Sequence, residues 1–449
     1  MTQYGGFGNG VSVPGIAAAP LAAIRERTFP RLPAIGLGAY FLATAALSRA
    51  DERLSWIPQV AGLAVGLVWL ATAAVDREHG LIWSKPVMLY LCWVLWTLTG
   101  AVVTPYPEWF FGVWMTAMKV AVITFIACQC VRTRADLLTC LLFVGISAVV
   151  IFVTGKENIM RAAAFRGTVE EEGSRVTGSL IGNQNELGHF AVLVLMTSFL
   201  CFFGFRNWFA RLISLAPVPL ALYIVAASGS RLAMVSLVAG AMASYWFHFR
   251  KAGAGKVTRT IVMMGLGLGV VAGAVYFVVK SPFFFRLVNV FSSTDAAQDE
   301  PRFIYFVKAM KATAEHPFLG LGLEGFAMHR LGGSVSKGGH YSHSDISETL
   351  SCTGIPGFLL HYGSYLAFFN RLRRLRRSAL PPQDMAMVNM IMAFLVVVLT
   401  AGVVAVFITH RLQWPLIGAM CGYLGYLQSR YGSAAGPAAS TPAYGRGTA

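Results

Sequence analysis

A short polar stretch in the last third of the chain holds side chains suited to acid–base chemistry. The sequence GGHYSHSDISETL carries two histidines, a tyrosine and two acids, and then passes into the start of an apolar helix. An imidazole with a near-neutral pKa is the most common general base for taking a proton from a hydroxyl group. His343 stands at the polar-to-apolar transition and is the candidate base, with Asp345 or Glu348 as partners that orient its ring. His340, next to Tyr341, is a rival base, and a solvent-exposed loop histidine without a role is the ordinary alternative.

A second group of residues could bind an anion. Five arginines lie in or beside polar connections, and the topology predicted below places all of them on one side of the membrane. They are Arg161, Arg166, Arg175, Arg231 and Arg302. Arginine binds phosphate in a bidentate manner and keeps its charge at any relevant pH. Several arginines around one cavity imply a pyrophosphate or a similar dianion. An arginine that reaches to the membrane interface is the alternative for Arg231, and helix capping is the alternative for Asn185.

The composition places these residues in a membrane protein. Hydrophobic residues make up 56% of the 449 residues and charged residues 12%, with a mean hydropathy of +0.61. Soluble domains carry about 25% charged residues. The formal charge of +16 is explained by basic membrane-flanking segments, so we expect contact with membrane lipids and no nucleic acid.

The hydropathy pattern predicts an all-α protein with about twelve transmembrane helices. A helix needs roughly 20 apolar residues to cross a bilayer. Candidate spans lie near residues 34–48, 56–75, 86–103, 109–131, 136–154, 186–204, 209–227, 231–248, 259–280, 353–370, 385–409 and 412–429. The first span also resembles a signal peptide, but no clean cleavage site follows it. Lys119 lies within the fourth span, where it would pair with Glu186 or line a cavity.

The distribution of basic residues predicts the orientation. Arginine and lysine gather in alternate connections, such as residues 250–259 and 371–377, and are sparse in the short connections between them. Basic segments stay in the cytoplasm, so both termini are predicted to be cytoplasmic. Two long polar loops then lie outside, and the second is predicted to fold as a helical cap.

The predicted domain organisation follows from these spans. It comprises a disordered cytoplasmic segment (1–33), nine spans (34–280) with an outer loop (155–185), an outer catalytic loop (281–352), three spans (353–429) and a disordered cytoplasmic tail (430–449). Seven cysteines, nearly all within apolar runs, lack the spacing of a zinc site or a disulfide framework. We therefore expect neither a metal nor another cofactor.

Four segments together resemble the bacterial O-antigen ligase and polymerase superfamily. His343, Ser344 and Gly354 fit its hallmark, a histidine at the end of a periplasmic loop followed by a glycine at the next helix. Three further segments resemble its other motifs: PRFIYFVKAMKATAEHPFLGLGLEGF, SGSRLAMV and SRVTGSLIGNQNELG. The resemblance covers about residues 160 to 425.

The resemblance implies a fold and a chemistry. Members of the superfamily are membrane glycosyltransferases of the GT-C type that act without metal on the periplasmic face of the inner membrane. They take a glycan from undecaprenyl pyrophosphate. By resemblance, Arg231, Arg175 and Arg302, with Arg166 as a further candidate, would hold the pyrophosphate, and His343 would activate the acceptor hydroxyl. Supporting roles would fall to His340, Tyr341, Glu348 and Asn185.

The sequence leaves the acceptor open. Ligase-type members tend to have Thr or Val three residues after the hallmark glycine, and this chain has Gly357, as in the general form shared with chain polymerases. The acceptor is therefore lipid A-core for a ligase or a growing glycan for a polymerase. A polysaccharide-lipid transporter is a third alternative, but the internal repeat typical of transporters is not evident.

Overall fold

The computed structural model describes residues 29–47, 56–75, 80–104, 106–164, 184–228, 230–249, 301–330 and 342–431. Within these ranges, residues 47, 156–164, 184, 231, 249, 301–303, 329 and 330 are described by their backbone alone. The predicted span at 259–280 lies outside the described residues.

The described residues form helices and turns, without a β-strand, which confirms the predicted all-α class. The helices are α1 (Leu32–Leu47), α2 (Ile57–Val75), α3 (Lys85–Thr97), α4 (Pro107–Cys130), α5 (Arg134–Ala164), α6 (Gln184–Gly204), α7 (Trp208–Leu215), α8 (Pro217–Ser228), α9 (Arg231–Ser244), α10 (Pro301–Glu315), α11 (Gly325–Arg330), α12 (Asp345–Leu375), α13 (Pro382–Val404) and α14 (Gln413–Tyr431). A 3₁₀ turn (Leu98–Val102) extends α3, and a π turn (Tyr245–Phe249) extends α9.

Seven stretches of the described chain are long and apolar enough to cross a membrane. They are Ile57–Val75, Lys85–Val102, Pro107–Cys130, Arg134–Gly155, Asn185–Gly204, Trp208–Ser228 and Pro382–Val404. Two shorter apolar helices occupy Leu32–Ala46 and Leu232–His248. The chain is thus a multi-pass membrane protein, but the predicted number of twelve spans is not confirmed.

Three predicted spans differ clearly from the helices that the structure shows. The span predicted at 209–227 consists of α7 and α8, because Pro217 lacks the backbone N–H that would continue the first helix and instead begins the second. Helix α5 continues ten residues beyond the predicted span, to Ala164. Helix α12 begins at Asp345, well before the predicted start at 353, because its polar first turns escape a hydropathy search.

The spans assemble around α6 and α13, which are the most deeply buried of the seven. Helix α13 contacts α6, α9 and α12, whereas α2 has most of its residues at the surface. An aromatic cluster joins α3, α12 and α14. Tyr90 of α3 lies on Trp414 of α14 with ring centroids 3.7 Å apart, and Trp93 lies against His361 of α12 at 4.7 Å. This cluster fixes the position of α12 relative to α3 and α14.

All seven cysteines are free thiols, six of them buried and Cys92 exposed. The cysteines thus act as small side chains that face the core of the bundle or, at Cys92, its surface. No covalent cross-link therefore holds the described helices together.

Candidate active site

His343 has an unusual backbone conformation. Its φ angle is +61°, and among the described residues only Glu324, with φ of +63°, shares a positive φ without being glycine. This conformation is costly for a residue with a Cβ atom, and such residues cluster at functional sites. The half-buried ring of His343 stacks on Tyr305 of α10, with centroids 5.6 Å apart and planes 24° apart.

The backbone beside His343 is fixed by a buried carboxylate. The amide of Ser342 donates a hydrogen bond of 2.8 Å to Oε2 of Glu348, and the thiol of Cys352 donates to Oε1 at 3.4 Å. Ser347 adds a bond of 2.9 Å from its hydroxyl to that of Ser342. Burial raises the pKa of the Glu348 carboxyl, and the hydrogen bonds from Ser342 partly offset this increase. Glu348 therefore supports the loop on which His343 stands.

Asp345 connects the start of α12 to the turn between α13 and α14. Its Oδ1 accepts a hydrogen bond from the buried backbone amide of Phe407. Burial raises the pKa of the Asp345 carboxyl. The sequence suggested Asp345 or Glu348 as the partner that orients the His343 ring, but the structure gives both carboxylates backbone partners instead. Tyr305 is the side chain that stacks on the ring.

Replacing Asp345 with alanine should destabilise the protein. The buried amide of Phe407 would lose its acceptor, and an unsatisfied buried donor costs about 1–3 kcal/mol. Thermal unfolding of the purified protein in detergent would measure the loss. Glu315→Ala is the control, because Glu315 forms an exposed i,i+4 ion pair with Lys311, which contributes only about 0.5 kcal/mol or less. Equal stability of the two variants would contradict the role of Asp345.

A glycine-rich clamp, defined as residues 316–322 against residues 351–355, holds the first turns of α12 in place. The amide of Ile355 donates to the carbonyl of Pro317 at 2.8 Å, and that of Leu321 donates to the carbonyl of Ser351 at 2.8 Å. Gly354 breaks α12 with a φ of +67°, which frees the amide of Ile355 for this contact. A Cβ atom at Gly354 would lie 2.2 Å from the carbonyl oxygen of Phe318.

The clamp also rests on other helices. A Cβ atom at Gly320, which has a φ of +66°, would lie 2.4 Å from the carbonyl carbon of Cys352. Nε1 of Trp96, at the end of α3, donates to the carbonyl of Thr353 at 3.0 Å. Backbone atoms therefore make most of the contacts, and glycine is required where the two segments meet.

Phe407 joins the starts of three helices. Its amide binds Asp345 of α12, its ring stacks on buried His189 of α6 at 4.3 Å, and it packs with Leu232 of α9. The hydroxyl of Ser230, the N-cap of α9, donates to Oδ1 of Asn185 in the first turn of α6 at 2.9 Å. The starts of α6, α9 and α12 thus meet at one end of the bundle.

A cavity of about 240 Å³ opens at this end. Its polar lining includes the carboxylates of Glu186, Glu324 and Glu348. His410 and Arg411, in the turn before α14, contribute the basic part of the lining. The mixture of acids and bases suits a polar ligand with several hydroxyl groups.

Comparison with known protein families identifies this part of the chain. Residues 216–362, about one third of the sequence, match the family model of O-antigen ligase. This segment is similar to O-antigen ligases. No curated protein matches the chain. The predicted superfamily is confirmed, over a shorter range than the resemblance suggested.

The matched segment includes four of the predicted site residues that the structure describes, namely Arg231, Arg302, His343 and Glu348. Arg231 is the first residue of α9, and Arg302 lies in the first turn of α10, one turn before Tyr305. Both are described by their backbone, and His343 is described in full. Asn185, outside the matched range, meets the start of α9 through Ser230. Arg161 lies in the last turn of α5 and is described by its backbone. The remaining predicted residues, namely Arg166, Arg175, His340 and Tyr341, lie outside the described residues.

Sequence reasoning overlooked several residues around the candidate site. Glu324 stands in the quoted GLGLEGF segment, where an acid among glycines was the only signal. Tyr305 gave no signal, because aromatic residues are common in apolar helices. Arg411 was visible only as one basic residue of a short connection.

Proposed function

We propose that this protein is an O-antigen ligase-type glycosyltransferase. It transfers a glycan from undecaprenyl pyrophosphate to a hydroxyl group of lipid A-core, in the synthesis of lipopolysaccharide or another surface polysaccharide. The proposal places the reaction at the periplasmic face of the bacterial inner membrane, with both termini in the cytoplasm. The similarity of residues 216–362 to O-antigen ligases supports the reaction class.

The proposed step is a single displacement. The acceptor oxygen attacks the anomeric carbon and forms the new glycosidic bond, while the bond from that carbon to the phosphate oxygen breaks. The pyrophosphate leaves on its lipid with the electron pair, and His343 takes the proton of the acceptor hydroxyl. Arg231, Arg175 and Arg302, with Arg166, would offset the charge that develops on the leaving group, which lowers the barrier when cations are fixed in advance. The anomeric configuration inverts.

The conformation of His343 is the observation that carries the proposal. His343, with φ of +61°, lies two residues before the start of α12, and its ring is stacked on Tyr305. The buried Glu348 holds the preceding residue, which fixes the base from the backbone side. A general base works best when it is held in this way before the acceptor arrives.

The chain-polymerase alternative loses one of its arguments. Gly357 distinguished this chain from ligase-type members, but its position has a packing reason. A Cβ atom there would lie 2.3 Å from Oγ1 of Thr353 and 3.0 Å from Cδ1 of Trp96. Because the side chain of Thr353 already occupies the space of a Cβ atom, glycine has a packing reason at this position, and Gly357 alone does not distinguish between acceptors.

Reconstitution tests the proposed function. The purified protein would be incubated in liposomes with an undecaprenyl-pyrophosphate oligosaccharide, first alone and then with lipid A-core. We expect a product only when lipid A-core is present. A ladder of longer glycans from the donor alone would identify a polymerase, and no transfer with movement of the lipid across the membrane would identify a transporter.

A further inference from the structure

A second and larger cavity lies on the outside of the bundle. This groove, formed by α1, α2 and α4, has a volume of about 620 Å³. Its walls are mainly aliphatic, as at Leu63, Leu67 and Leu70 of α2 and Ile126 of α4. From Pro58 to Leu70 it follows α2 for about 18 Å at 1.5 Å per residue. Such a groove suits a long, apolar chain.

Two cations lie among these apolar walls. Lys119 of α4 and Arg411, in the turn before α14, both line the groove and are exposed. Neither forms an ion pair within the described part of the chain. Lys119 lies within α4, and a charged side chain inside an apolar helix is costly and usually serves an ion or a ligand. An anionic group bound beside Lys119 and Arg411 would offset both positive charges.

The groove is continuous with the cavity of the candidate active site. Thr44, Thr116 and Arg411 line both spaces. A ligand with its apolar chain along α2 would therefore place its anionic end beside Arg411, at the entrance to the cavity lined by Glu324 and Glu348. The two cavities thus have the arrangement that a lipid-linked sugar requires.

We propose that this groove binds the chain of a polyprenyl phosphate, with Lys119 and Arg411 at its phosphate. The identification of the lipid as a polyprenyl rests on the proposed function, because the groove would hold the lipid part of the proposed donor. A phospholipid carries two acyl chains and, in phosphatidylglycerol, a single negative charge, so it matches the single groove and the two cations less well. The role of Lys119, which the sequence left open, becomes that of a phosphate ligand.

Photolabelling of the full-length protein in nanodiscs tests the proposal. The probe is undecaprenyl phosphate with a photoreactive group in its chain, and mass spectrometry locates the labelled peptides. We expect labels on α2 or α4, and competition by unlabelled undecaprenyl phosphate but not by phosphatidylglycerol or inorganic pyrophosphate. Lys119→Ala and Arg411→Ala should each weaken this competition about fivefold, as expected for the loss of one cation near the membrane surface.

Variants that fill the groove provide the matched comparison. Leu67, which is 58% exposed, lines the groove, whereas Leu366 of α12, which is 59% exposed, does not. Leu67→Trp should reduce labelling about tenfold or more through steric exclusion, and Leu366→Trp should leave it unchanged. Leu63→Trp is a second groove variant if Leu67→Trp fails to fold.

Several results would overturn the proposal. They are equal competition by phosphatidylglycerol, equal competition by inorganic pyrophosphate, labels confined to other helices, or equal labelling of the two tryptophan variants. The assay contains no sugar and no acceptor, so it is independent of transfer. Labelling without any transferase activity would reject the proposed function alone, and transfer with no labelling of the groove would reject this site alone.

Discussion

Replacing His343 with alanine is expected to reduce glycan transfer by about 10²- to 10⁴-fold, the usual contribution of a general base. Binding of the lipid-linked donor should persist, because its phosphates are assigned to arginines and to Lys119 and not to His343. The measurement is the rate of transfer in the reconstituted system, together with donor binding by the same preparation. Transfer at the original rate would show that His343 is not the base.

Two further variants separate chemistry from folding in this experiment. His343→Gly removes the strain of a positive φ, so it should be at least as stable as the original protein while still losing transfer. His316→Ala is the matched control, because the side chain of His316 is exposed in the turn after α10. A comparable loss of transfer in His316→Ala would show that the loss is not specific to His343, and the assignment to His343 would fail.

Replacing Gly354 with alanine is expected to destabilise the protein by about 2–4 kcal/mol. The new methyl group would lie 2.2 Å from the carbonyl oxygen of Phe318, and the φ of +67° is unfavourable for alanine. Because the amide of Ile355 would lose its place on Pro317, the start of α12 and His343 should move as well. Thermal unfolding, followed by size-exclusion fluorescence in detergent, would measure the change.

Gly363 provides the control within the same helix. A Cβ atom at this position would meet only Cδ1 of Leu89, at 3.9 Å, which is ordinary contact. Gly363→Ala should therefore leave the stability unchanged or increase it by about 0.5–1 kcal/mol. If both glycine variants unfold at the same temperature, the clamp does not stabilise α12 as described.

Most of the membrane helices could be predicted from hydropathy alone. The spans of α2, α4 and α6 were placed within two residues, because each is a continuous apolar run near the length that a bilayer requires. The start of α12 was missed, since its first turns carry Asp345 and Glu348 and are held by tertiary hydrogen bonds. The break before Pro217 was missed, because the residues on both sides of it are apolar and were predicted as a single span.

The candidate site was predicted in part. Its histidine was visible because polar residues at the edge of an apolar helix are uncommon, and Gly354 was visible through its spacing from that histidine. The partners of these residues could not be recognised in the sequence. Tyr305, Pro317 and Phe407 reach the site only through packing between segments that are distant in sequence. That Arg175 and Arg231 lie close together at the site remains a prediction.

The clamp also determines when the site is completed during biosynthesis. Trp96 of α3 donates its hydrogen bond to the carbonyl of Thr353, which lies 257 residues later in the chain and is therefore synthesised much later. At about 5–20 residues per second, the ribosome needs roughly 13 to 50 s to deliver that partner. Throughout this interval the early spans are already made, while the histidine and its clamp do not yet exist. A nascent chain in the membrane therefore meets the lipids around it before the candidate site exists, and this site is completed only late in synthesis.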